Sequence, residues 1–165
     1  MAKEIERKFL VRSDDWRASA VSASSFRQAY IVAADDRNVR VRLVNDAKAR
    51  LTIKVGDESL TRDEYEYDIP VEDARELLNA TVGTIIEKTR HVVPFAGFTW
   101  EVDVFEGVYA GLVVAEVELQ AESDHPRLPD WIGREVTGDR RYSNMVLATE
   151  NLAAELAHGL SHQAL

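Results

Sequence analysis

The chain has 165 residues with 45% hydrophobic and 30% charged content, which fits one globular domain able to bury a core without staples. It contains no cysteine, which excludes disulfides, thiolate metal sites and thiol catalysis together. The net charge is −9, from 29 acids against 20 bases, and that balance argues against a nucleic-acid partner.

The N-terminus, Met1-Ala2-Lys3-Glu4-Ile5-Glu6-Arg7-Lys8, alternates charge at once and carries no secretory signal. No apolar run approaches the roughly 18–20 residues that span a bilayer. A cytoplasmic location with no membrane partner is the expectation. Short alternating segments then follow one another. They predict strands over 3–11, 26–33, 39–44, 50–55, 62–69, 84–93, 98–106 and 112–120. A short helix is expected after Ser13, through Trp16, and another from Glu72 to Leu78, after Pro70 ends a strand. Residues 123–126 read as a loop, with a short piece around Trp131 beyond it. Met145, Ala148, Leu152 and Leu156 form the stripe of an amphipathic helix, about 143–158, with Ser143 as N-cap, Gly159 as stop and a frayed tail over 159–165. The reading is a single domain over 1–165, mainly β with flanking helices, in which an antiparallel sheet closes or nearly closes.

Charge falls on these strands in a regular way. Residues i and i+2 share a face of a strand. One face carries Glu4, Glu6 and Lys8; Gln28 and Tyr30; Arg40 and Arg42; Thr52 and Lys54; Arg62, Glu64, Glu66 and Asp68; Lys88 and Arg90; Glu101 and Asp103; Glu116 and Glu118. The other faces are apolar, as in Val39, Val41 and Leu43, or Trp100, Val102 and Val104. Spacing alone leaves two arrangements open: an open sheet with a solvated charged face, and a closed sheet with the charges inside. Composition favours the second, because the charged positions are nearly all Arg, Lys, Glu and Asp and segregate into acidic and basic pairs. Paired carboxylates suit hard cations such as Mg²⁺ or Mn²⁺. Arginine forks and lysine point charges suit phosphate oxygens. A closed sheet of about eight strands has room inside for one small ligand.

The ordered motifs resemble a known family. Glu4-Ile5-Glu6-Arg7-Lys8 is similar to the ExExK signature of the CYTH superfamily, the triphosphate tunnel metalloenzymes. The resemblance continues through Arg27-Gln28-Ala29-Tyr30, Arg40-x-Arg42, Thr52-Ile53-Lys54, Arg62-x-Glu64-Tyr65-Glu66, Glu87-Lys88-Thr89-Arg90, Glu101-Val102-Asp103, Glu116-Val117-Glu118 and Gly133-Arg134-Glu135-Val136-Thr137, before Tyr142-Ser143-Asn144. It implies an eight-stranded antiparallel β-barrel that forms a charged tunnel, with helices outside. It also implies metal-dependent hydrolysis of inorganic triphosphate (tripolyphosphate) to pyrophosphate and phosphate by a small monomeric or homodimeric enzyme. Alternatives within the resemblance are a thiamine triphosphatase, another organic triphosphate hydrolase or an adenylate cyclase, and, outside catalysis, a polyphosphate- or nucleotide-binding module.

The resemblance implies the residue roles as well. Glu4, Glu6, Glu116 and Glu118 are the expected metal ligands, with Glu64, Glu66, Glu101 and Asp103 as further ligands or as partners of neighbouring arginines. Lys8, Arg40, Arg42, Lys54 and Arg90 are expected to hold phosphates, with Arg62 as an addition. Lys88 and Tyr30 are the candidate catalytic pair, Lys88 either as general base for water or as one more phosphate-binding cation. Arg134 is left between a substrate contact and a structural ion pair. Trp16, Trp100 and Trp131 read as packing residues, and no histidine spacing matches a zinc site.

Overall fold

A computed structural model describes residues 2–56, 61–150 and 156. Nine strands run antiparallel: β1 (Ala2–Val11), β2 (Ser22–Ala34), β3 (Arg37–Val44), β4 (Lys48–Val55), β5 (Thr61–Ile69), β6 (Val82–Phe95), β7 (Phe98–Phe105), β8 (Val113–Glu118) and β9 (Ile132–Glu135). The hydrogen-bonded order is β5-β4-β3-β2-β6-β7-β8-β1, and β1 pairs with β5 to close the ring. The first eight strands therefore make the expected barrel, and the short piece near Trp131 is β9, a ninth strand added to the edge of β1. The predicted strands are all present, with ends moved by a few residues, most at β2 and β6.

Turn chemistry explains why neighbours in sequence pair. Val44 and Ala47 close a hairpin turn in which Asn45 and Asp46 both have positive φ, 52° and 54°, the geometry whose twist matches that of the flanking strands. Helix α1 (Val71–Leu78) starts directly after Pro70, which cannot continue the β5 ladder. It lays Ala74 and Leu78 over Ala29, Val41, Leu43 and Ala49 on the outside of β2–β4. On the opposite outer wall, Trp100 lies between Phe9 and Trp131, with ring centroids 5.5 and 5.8 Å away, and Trp16 is buried in the same cluster. The three tryptophans are packing residues. Trp16 lies on the short helix expected after Ser13, which is a 3-10 turn, Asp15–Ser19.

The inner faces change character along the barrel. At one end Leu10, Tyr30, Ile86, Phe105 and Val114, each two residues from a polar or charged inner position, turn apolar and gather around α2 (Asn144–Thr149). Ser143 caps that helix, accepting a hydrogen bond from the Val146 amide, as its sequence predicts. Four successive residues, Met145 to Ala148, are buried, so α2 is covered all round and stops the barrel like a plug. Leu156 joins the same cluster, while the predicted Leu152, the stop at Gly159 and the tail 159–165 lie outside the described residues. The predicted tunnel is thus a cup, open at one end and floored by apolar side chains. Among the described residues, no helix is long and apolar enough to cross a membrane.

Candidate active site

The cup encloses a cavity of about 660 Å³. Strand alternation aims the charged face of each strand into it, and register decides which charges meet. Lys8 stands opposite Glu116 and Glu6 opposite Glu118 on β8; Glu4 stands opposite Arg62 on β5. Lys54 faces Glu64, Thr52 faces Glu66 and Arg40, and Arg90 faces Asp103. Of the residues expected from sequence, Glu4, Glu6, Glu64, Glu66, Glu101, Glu116 and Glu118 reach the cavity wall, as do Arg40, Arg42, Lys54 and Arg90. Lys8 and Arg62 sit at the wall's rear, beside a smaller cavity of about 40 Å³ bordered by Glu6, Thr137 and Asp139. Arg134 is exposed, 3.5 Å from the Tyr142 hydroxyl and away from both cavities.

Most of the cations are held by carboxylates. Lys54 Nζ lies 3.0 Å from Glu4, which Arg62 also approaches at 3.7 Å. Lys8 Nζ lies 3.6 Å from Glu116 and donates to the Tyr142 carbonyl at 3.1 Å. Asp103 accepts from Arg90 Nε at 2.7 Å with one oxygen, and from Lys88 Nζ at 2.6 Å and Arg90 Nη2 at 2.9 Å with the other. Arg90 also reaches Glu101 at 3.3 Å. Arg40 and Arg42 differ. Arg40 donates to Thr52 at 3.3 Å and Arg42 to Gln28 at 2.7 Å, and among the described residues neither has a carboxylate within ion-pair distance. Burial, then the charges of Arg40 and Arg90, hold the Arg42 guanidinium well below its ordinary pKa.

Lys88 is 1% exposed and lies behind the wall, between Asp103, Asn144 at 3.2 Å and the Phe105 ring. Burial pushes its pKa down to about 7, helped by Arg90 and Arg42 and opposed by Asp103. Tyr30 is buried in the apolar floor, yet near enough for its phenol to bear on the charges of Lys8 and Arg42.

The carboxylates are crowded in a way that fits a divalent cation. Glu4, Glu64 and Glu66 lie close enough together for Glu64 to act on the titration of both neighbours. Burial and then the Glu4 contact raise Glu64 to about 8, whereas Glu4 itself, despite burial, is drawn down to about 2 by Lys54 and the Glu64 contact. Burial, with Glu116 and Glu4 close by, raises Glu6 to about 8 as well. Glu4 Oε2 is buried and is met by the Lys54 ammonium at 3.0 Å as an ion pair. All of these donors are hard carboxylate oxygens, the type that Mg²⁺ or Mn²⁺ takes. Among the described residues, no trio of His, Asp and Glu side chains is already gathered as a metal-binding group.

Several wall residues escape the sequence reading. Lys48 and Arg50 extend the Thr52–Lys54 face towards the mouth; Lys48 was missed because the predicted strand began only at residue 50, and Arg50, its first residue, was not assigned to the inner face. Ser24 and Phe26 share the Gln28 face. Asn144 comes from α2, and no local pattern announces it.

Known proteins share this architecture and these motifs. A model of the CYTH domain matches residues 2–144. An inorganic triphosphatase of Acetivibrio thermocellus is 50% identical over 145 residues, covering 87% of this chain and 92% of its own. An inorganic triphosphatase of Nitrosomonas europaea is 36% identical over 148 residues, covering 88% and 96%. A crystal structure of an inorganic triphosphatase superposes with a TM-score of 0.65 at 36% identity, covering 91% of this chain and 97% of that one. A Pyrococcus horikoshii protein, at 19% identity and a TM-score of 0.59 over 96% of this chain and 90% of its own, shares the fold. With a family model that spans the whole barrel and the start of its plug, the chain belongs to the CYTH domain family.

Proposed function

We propose that the protein hydrolyses inorganic triphosphate to pyrophosphate and orthophosphate, and that the reaction requires a divalent cation, Mg²⁺ or Mn²⁺. The observation that carries this reading is the wiring of β3. Among the described residues, Arg40 and Arg42 are buried side by side with no carboxylate within ion-pair distance, in a cup whose other buried cations are paired. A buried cation left unpaired is costly, and two of them facing one cavity call for an anion of high charge. The two relatives named as inorganic triphosphatases support the same substrate.

In this scheme the chain's own residues act by position and charge, which is most of what phosphoryl transfer needs. Arg40 and Arg42 present planar donors to phosphate oxygens, with Lys54, Lys8, Arg62 and Arg90 as further positive charge around the chain of phosphates. Glu4, Glu6, Glu64, Glu66, Glu116 and Glu118 would hold the cation, which when bound neutralises phosphate charge and polarises the reacting phosphorus. We read Asp103 as the anchor of Lys88 and Arg90 instead of as a ligand. Lys88, behind the wall and in contact with Asn144, which itself lines the cavity, takes the proton that the attacking water gives up on that side as oxygen bonds to the terminal phosphorus and the bridging P–O bond breaks, with Tyr30 in the apolar floor as its proposed companion. The substrate is then a free small polyanion, with no nucleic-acid or membrane partner.

A phosphate-release screen with Mg²⁺ or Mn²⁺ tests the proposal. Tripolyphosphate should be turned over faster than ATP, thiamine triphosphate or pyrophosphate, since pyrophosphate leaves part of the cation set without a partner. Faster turnover of ATP or thiamine triphosphate sinks the substrate assignment, and undiminished turnover in excess EDTA sinks the cation.

A further inference from the structure

Arg42 and Arg90 flank one aromatic ring and are held in opposite ways. The Phe26 ring lies on the cavity wall, with the Arg42 guanidinium 4.3 Å and the Arg90 guanidinium 5.1 Å from its centroid. Arg90 is fixed by Asp103, Glu101 and Glu116. Among the described residues, Arg42 is fixed by neutral residues of β2: its plane by Phe26 and its Nε by Gln28 Oε1 at 2.7 Å. Gln28 is fully buried directly opposite Arg42 on the β2–β3 ladder, and it does not reach the cavity wall. The orientation of its amide is set by its neighbour, because Arg42 Nε–H can only donate and so requires the amide oxygen.

Gln28 is a poor choice for the fold alone. Its Nε2 is buried with no hydrogen-bond partner. A glutamate of the same shape would replace that unsatisfied donor with a second oxygen, able to close a two-point fork on Arg42 and to pair a buried charge. The same fork would neutralise Arg42 and occupy one of its two Nη groups, neither of which is bonded among the described residues. A neutral amide takes Nε alone.

We infer that Gln28 is a positioning residue: through a neutral acceptor it fixes Arg42 against Phe26 while keeping the full charge and both Nη groups of Arg42 for the oxygens of a phosphate. The inference rests on the triphosphate-hydrolysing reading of the cavity and goes beyond it by naming the residue that keeps the anion site positive.

The test compares Gln28→Glu and Gln28→Met in the full chain, by thermal melting without triphosphate and by kcat and KM for tripolyphosphate with Mg²⁺. Gln28→Glu should raise Tm and raise KM at least tenfold, with kcat within about threefold of wild type. Gln28→Met, which holds Arg42 with nothing, should lower Tm and raise KM by less. In an Arg42→Met background, Gln28→Glu should leave KM unchanged. A wild-type KM in Gln28→Glu overturns the inference. So does a raised KM that comes with a lowered Tm in that variant, which is what a purely structural role produces. Failure of both variants to fold assigns Gln28 to the fold and overturns it equally. Failure of the wild-type protein to hydrolyse tripolyphosphate strikes the functional reading instead, and is seen before any variant is made.

Discussion

Lys8, Lys54, Arg62, Lys88 and Arg90 each face a carboxylate, so their charge is balanced within the protein. Lys88 stands apart among them because burial, aided by Arg90 and Arg42, brings it down to about 7 in spite of Asp103. Below that value it is an ammonium that cannot accept a proton; above it the amine is free to do so. The kcat of the wild-type protein should therefore rise with pH through about 7. Lys88→Met should lose that rise and lower kcat by roughly 10²–10⁴-fold, with KM little changed. A wild-type pH profile in the variant leaves Lys88 as a structural cation. Glu6 and Glu64 titrate in the opposite sense. Burial and neighbouring carboxylates raise both to about 8, so at pH 7 each holds a proton that an incoming cation must displace. Adding Mg²⁺ or Mn²⁺ to the metal-free protein in weak buffer at pH 7 should release protons, and the release should fade above pH 9. No release at pH 7 means that the cation goes elsewhere.

At the scale of elements, α2 is the piece that turns a tunnel into a cup. It closes the barrel end, packs Leu147 and Ala148 against the apolar ends of β1, β2, β6, β7 and β8, and brings Asn144 to Lys88. It comes close to the backbone of β6 at Gly83, where a Cβ would fall 2.1 Å from the Ala148 carbonyl oxygen. Gly83 also has φ +81°, a conformation that L side chains rarely adopt. Gly83→Ala should thus cost about 2 kcal/mol or more, a Tm loss of roughly 4–8 °C for a chain of this size. It should also lower kcat, because the helix that moves carries Asn144. A variant with wild-type Tm and kcat would show that the plug does not depend on this contact.

Across the whole molecule, the ladder that closes the ring is the shortest one in the ring among the described residues. There β1 pairs with β5 through Ala2–Ile5 and Thr61–Glu64, whereas β2 runs along β6 from Ser22 to Tyr30. The short seam carries Glu4 on one side and Glu64 on the other, both facing the cavity. A cation held between these strands, as proposed above, would tie the seam together. In hydrogen exchange, the amides of 2–5 and 61–64 should exchange faster than those of the β2–β6 ladder in EDTA, and should slow on adding Mg²⁺ or Mn²⁺. Equal protection of the two ladders in EDTA contradicts this account of closure.

What the amino-acid sequence determined by itself is what alternation carries. The pleat places i and i+2 on one face whatever the strand's neighbours are, so the inward charges of Glu4-x-Glu6-x-Lys8, Arg40-x-Arg42 and Glu116-x-Glu118 were legible before any pairing was known. The strands themselves, though not their ends, the helix after Pro70 and the Ser143 cap were readable for the same local reason. Which charge meets which depends on strand order and register, and these join residues far apart in the chain. Arg90 is balanced because β6 lies beside β7 and register sets it opposite Asp103; Arg42 is not, because β3 lies between β2 and β4 and meets Gln28 and Arg50 there. The spacing of Met145, Ala148, Leu152 and Leu156 describes a surface helix, yet α2 is buried all round, because only the closed barrel creates the apolar socket that receives it. Long-range closure thus decided which cations were left for an anion, and where the cup ends.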